Sequence, residues 1–145
     1  MDTVFMSVEE TEAEAGRFVH TLVPESNGAT LVTLTGELGA GKTTFVQAVA
    51  RTLGVDEHVT SPTFVLMKVY GLSENALFER LIHIDAYRLT GGTDLAALGF
   101  DEIMQDSKNL VLLEWPEKVA DGLPEAAHQL SLAVRLDGSR VMSYA

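Results

Sequence analysis

Apolar positions along the chain switch period several times, and each switch marks an element. "SVEETEAEAGRFVHTLV" places Ala13, Phe18, Val19 and Leu22 at approximately helical spacing, and Ser7 followed by Glu10 forms a capping-box pattern. A helix is predicted over 8–23. "LVTLT" at 31–35 is β-branched and apolar and reads as a strand, and "TFVQAVARTL" returns to the helical period until Gly54 closes it. "TFVLMKVY" and "LIHID" read as strands, and "TDLAALGFDEIM" at 93–104 as a short helix or pair of helical turns. "LVLLE" is almost continuously apolar, as suits a strand covered on both faces. "LSLAVRL" and "VMSY" flank "DGS", where Asp-Gly between apolar runs predicts a hairpin.

The order of these elements predicts an α/β, three-layer fold. Its mixed sheet should have a parallel core and an antiparallel C-terminal hairpin. No repeat, low-complexity run or Pro/Gly-rich linker divides residues 1–145, so one domain is expected. Cysteine is absent, which excludes disulfides and thiolate metal sites. "MDTVFMSVEE" turns acidic where the apolar core of a secretory signal would continue, and no apolar run approaches the ~20 residues of a membrane span. The expectation is a cytoplasmic protein, monomeric on its own, without membrane contact. Its net charge is −11, with 21 acidic and 10 scattered basic residues, which disfavours a direct grip on a nucleic-acid backbone.

Chemistry concentrates at "GELGAGKT". Gly36, Gly41, Lys42 and Thr43 satisfy G-x-x-x-x-G-K-[ST] between a strand and a helix. Glycines there allow successive N–H groups to converge on phosphate at a helix N-terminus. The loop Gly36, Glu37, Leu38, Gly39, Ala40, Gly41, Lys42, Thr43 and Thr44 is the expected cradle for the phosphates of a nucleotide. Lys42 would reach the β- and γ-phosphates, and Thr43 would ligate Mg²⁺. Such a site needs an acid, and Asp85 and Glu114 each end a buried strand, where ligands of open α/β sheets bind. A helix cap or a solvated strand end is the alternative for either acid taken alone. No guanine-reading N-K-x-D, arginine-rich lid or acceptor-binding insertion occurs, which leaves water as the simplest phosphate acceptor. A compact small-molecule kinase and a nucleotide-binding module without turnover are the competing readings.

Other residues have two readings each. Trp115 is either a stacking surface or a rigid Trp-Pro strand exit, and Tyr87 with Arg88 is either a phosphate sensor or a packed turn. His20, His58, His83 and His128 are too dispersed for a metal site, and His83, within a strand, reads as a hydrogen-bonded core histidine.

"GELGAGKTTFVQAVARTLGV", "VTSPTFVLMKVY", "IHIDAYRL", "LGFDEIM" and "LLEWP" together resemble the TsaE (YjeE) family of bacterial P-loop ATPases needed for threonylcarbamoyladenosine formation on tRNA. The likeness covers almost the whole chain, and "SPTF", "DAYR" and "EWP" are far more specific than the P-loop. It implies an ATPase, weak alone, in which Thr43 and Glu114 hold Mg²⁺ and Asp85 serves hydrolysis. It also implies a switch-like loop from Ser61 to Thr63 near the γ-phosphate, and an approach of Thr11 and Arg140 to the nucleotide. The implied partners are TsaB and TsaD, with tRNA carried by them.

Overall fold

In a computed structural model, residues 2–55, 66–73 and 76–144 are described. Strand β1 (Asp2–Phe5) leads into α1 (Val8–Thr21), followed by β2 (Thr30–Thr35), α2 (Lys42–Thr52), β3 (Met67–Gly71) and β4 (Arg80–Asp85). Two short helices, α3 (Gly92–Ala97) and α4 (Phe100–Ile103), precede β5 (Asn109–Glu114), and two 3₁₀ turns connect it to β6 (His128–Val134) and β7 (Arg140–Tyr144). The strands form one sheet in the order β1-β7-β6-β2-β5-β4-β3. β6, β2, β5 and β4 are mutually parallel, and β1, β7 and β3 join antiparallel.

Local chemistry accounts for the boundaries. Ser7 Oγ accepts from the Glu10 N–H at 3.2 Å, while the Glu10 carboxylate accepts from Met6 N at 3.0 Å, a capping box displaced by one residue. α1 ends at Thr21, two residues short of expectation, because Leu22 is already extended and Pro24 biases Val23 the same way. α2 ends in a Schellman motif, with Val55 N–H bonded to Ala50 O and Gly54 N–H to Arg51 O, both at 3.0 Å. In the β6–β7 turn, Gly138 N–H donates to Arg135 O at 3.0 Å and Arg135 N–H to Ser139 O at 2.8 Å, so the predicted hairpin forms around a three-residue loop.

Two apolar layers sandwich the sheet. On one face Phe18 of α1 and Phe45 of α2 meet at 5.8 Å between ring centroids, over Leu34, Leu112 and Leu130. On the other, Leu95, Phe100 and Val119 cover Leu31, Ile84 and Leu113. The three-layer expectation holds, with two differences at the edges. β1 was not predicted and, rather than the hairpin, forms one edge, and β3 runs antiparallel to β4. Among the described residues no helix is long and apolar enough to cross a membrane.

Candidate nucleotide site

β2 ends at Thr35, and the chain turns through Gly36–Gly41 before α2 starts at Lys42. Gly36 has φ +146°, and a Cβ there would lie 2.4 Å from the Leu132 carbonyl oxygen, so the loop is pressed against β6. Gly41 caps α2 without any side-chain bond. The first N–H groups of a helix have no intrahelical acceptor, so those of α2 are left facing the loop's concavity.

Lys42 is buried rather than solvated, at 5% exposure. Its ammonium donates to Gly36 O and, at 3.1 Å, to Glu37 O, and stands 3.9 Å from the centre of the Trp115 ring. Burial holds this amine below the ordinary lysine value, and nearby Glu114, Glu117 and Asp85 oppose the shift. Trp115 reaches this position because it adopts φ +61°, an uncommon left-handed conformation for a bulky residue directly after β5. Tyr87, half exposed, packs on Trp115 with ring centroids 5.0 Å apart, while Arg88 is exposed on the same turn.

Thr43 and Glu114 come together although 71 residues separate them. Thr43 Oγ1 lies 3.4 and 3.3 Å from the two carboxylate oxygens of Glu114. That is long for a hydroxyl–carboxylate bond but close to the ~3 Å between adjacent oxygen ligands around one octahedral Mg²⁺. Both groups are hard oxygen donors, so the pair fits the metal expected there. Asp85 is the Cα partner of Glu114 across the β4–β5 ladder, and its Oδ1 accepts from Tyr87 N–H at 3.0 Å. Glu37, Leu38, Gly39, Ala40, Gly41, Lys42, Thr43, Thr44, Asp85, Glu114, Trp115 and Arg140 line one open cleft of about 340 Å³.

A second cleft, of about 270 Å³, adjoins it and shares Gly41, Thr44 and Arg140. Phe5, Met6 and Thr11 line its other side. Thr11 is buried and donates its hydroxyl hydrogen to Ser7 O at 3.2 Å, and the Arg140 guanidinium reaches Gly39 O at 3.3 Å. Thr11 and Arg140 therefore flank the cradle. Ser61, Pro62 and Thr63 lie outside the described residues.

Sequence reasoning missed three features. β1 supplies Phe5 to the second cleft, and Met6 follows directly after it, but the strand is only four residues long, too short for a readable period. The Trp115 ring over Lys42 depends on one backbone conformation. His83 proves hydrogen-bonded in the core as expected, but its partner is Glu114, and only the pairing of β4 with β5 brings the two together.

The family model described as threonylcarbamoyl adenosine biosynthesis protein TsaE matches residues 5–142. A relative from Treponema pallidum named tRNA threonylcarbamoyladenosine biosynthesis protein TsaE is 39% identical over 145 residues, covering 100% of both chains. Relatives of the same name from Streptomyces coelicolor and Bacillus subtilis are 44% and 33% identical, over 66% and 79% of this chain and 62% and 68% of their own. Among solved structures, that of YdiB from Bacillus subtilis superposes with a TM-score of 0.72 at 28% identity, over 99% of this chain and 83% of that one.

Proposed function

The chain belongs to the TsaE family of threonylcarbamoyl adenosine biosynthesis proteins, and from that premise we propose that it is an ATP-binding and ATP-hydrolysing subunit for threonylcarbamoyladenosine modification of tRNA. The observation that carries the proposal is the convergence of Lys42, Thr43, Asp85 and Glu114 on one cleft at the C-terminal ends of parallel strands.

Each residue has a task that follows from its surroundings. Loop N–H groups and the start of α2 bind phosphate oxygens, and Arg140, tethered to Gly39 O, braces the loop from β7. Lys42 exchanges the neutral carbonyls of Gly36 and Glu37 for phosphate oxygens, a gain because the buried ammonium then faces opposite charge as well as an acceptor. Thr43 and Glu114 would hold Mg²⁺, which would supply positive charge to stabilise the phosphate oxygens. Asp85, oriented by Tyr87 N–H, positions the attacking water. The second cleft, between Thr11 and Arg140, takes the nucleoside end. A net charge of −11 supports a division of labour in which TsaB and TsaD carry the tRNA.

The test is a reconstituted modification assay with TsaB, TsaD, tRNA and ATP. Repeated rounds of threonylcarbamoyladenosine formation should require this chain and fail with Lys42→Ala. Modification at the same rate without the chain would overturn the proposal.

A further inference from the structure

His83 carries chemistry that the nucleotide cleft itself does not use. The ring lies in β4 with no solvent exposure, and its Nε2 is 2.5 Å from Glu114 Oε2. Strand alternation explains the meeting. His83 and Asp85 are two apart in β4, Leu112 and Glu114 are two apart in β5, and His83 pairs with Leu112 across the ladder, so all four side chains share one face. The imidazole thus reaches diagonally to the carboxylate. Its other nitrogen, Nδ1, has no hydrogen-bond partner among the described residues. The ring is packed within the layer that contains Leu81 and Leu112, where a polar group is costly unless bonded. The bond it makes is directed at Glu114, itself only 2% exposed.

We propose that His83 is a positioning residue of the Mg²⁺ site. By donating Nε2–H to Oε2 it fixes the rotation of the Glu114 carboxylate opposite Thr43 Oγ1 and leaves Oε1 unengaged by the ring. Groups that orient a metal ligand in this way typically change metal affinity about 10–100-fold when removed. The inference rests on the reading of Glu114 as a metal ligand.

The discriminating contrast is His83→Gln against His83→Asn. A glutamine amide reaches about as far as Nε2, whereas an asparagine amide ends near the place of Nδ1 and falls short of Glu114. His83→Leu removes the donor altogether, and Glu114→Gln is the control for the ligand itself. Calorimetry with a non-hydrolysable ATP analogue, in EDTA and across a Mg²⁺ series, reads nucleotide and metal affinity separately, and thermal melts report folding. His83→Asn and His83→Leu should weaken Mg²⁺ about tenfold or more with affinity in EDTA unchanged, and His83→Gln should retain most of the wild-type value. Equal Mg²⁺ affinity in the Gln and Asn variants, or a folded Leu variant with wild-type affinity, would overturn the role of His83 alone. If Leu fails to fold, the Gln and Asn contrast decides. Absence of any Mg²⁺ effect in the wild type, or its survival in Glu114→Gln, would instead overturn the ligand reading and the inference with it.

Discussion

Replacing Gly36 by alanine should damage the protein more than the same change at Gly39, although both lie in one loop and both have positive φ. The positive φ costs an L-residue about 1–2 kcal/mol at Gly39, where φ is +82°, and no less at Gly36, where φ is +146°. At Gly39 nothing lies within 4 Å of an added Cβ, so that strain is the whole effect. At Gly36 the Cβ would sit 2.4 Å from Leu132 O, against about 3.4 Å for ordinary contact, and the deficit of about 1 Å must open between two backbone segments. Overpacking of this kind adds about 1–3 kcal/mol. Gly36→Ala is therefore expected to cost about 2–5 kcal/mol and Gly39→Ala about 1–2 kcal/mol. With a urea m-value near 2 kcal/mol/M, the two midpoints should separate by about 0.5–1.5 M in a melt followed by far-UV circular dichroism. Gly36→Ala protein that remains folded should also lose nucleotide affinity, because moving the loop by about 1 Å disturbs every phosphate contact. Coincident midpoints, or a less stable Gly39→Ala, would refute the reasoning.

Lys42→Ala should weaken ATP binding in calorimetry by about 10–100-fold, the range for losing a hydrogen bond to a charged group, while urea melts remain close to wild type because, of the two carbonyls it releases, Glu37 is exposed and Gly36 only half-buried. Glu114→Ala should lower the Mg²⁺ dependence of nucleotide affinity, whereas Asp85→Ala should spare affinity and reduce turnover; loss of metal-dependent binding alone in both variants would show the roles to be misassigned. Burial and the bond to the Glu14 carboxylate raise the Tyr144 phenol above its ordinary value, so the neutral phenol is favoured in the folded state and the associated stability is present below about pH 10 and fades above it. Wild-type protein should therefore lose stability more steeply than Tyr144→Phe between pH 10 and higher values, as measured by urea midpoints; parallel curves would contradict this.

Features encoded within a few adjacent residues are legible in the sequence. The P-loop is contiguous, so its glycines, lysine and threonine could be assigned from spacing alone, and "LIHID" and "LVLLE" announced buried strands ending in acids. Their chemistry, however, depends on neighbours distant in the chain. That Asp85 and Glu114 stand side by side follows from β4 and β5 being adjacent in the sheet, a pairing that periodicity does not specify. The same pairing hides the bond between His83 and Glu114. β1 was illegible because two apolar residues in four, Val4 and Phe5, define no period, and its strand form depends on β7. Burial of Lys42 was unreadable for a different reason: its apolar cover, Trp115, is placed by a backbone conformation that its residue type disfavours.

The central claim, hydrolysis of ATP to water by this cleft, is tested most directly by following the γ-phosphate of labelled ATP with Mg²⁺, TsaB and TsaD, with and without small-molecule acceptors. The label should appear as inorganic phosphate, acceptors should not divert it, and Lys42→Ala and Asp85→Ala should sharply reduce its release. Label transferred to an acceptor, or release no faster than with Lys42→Ala, would contradict the claim.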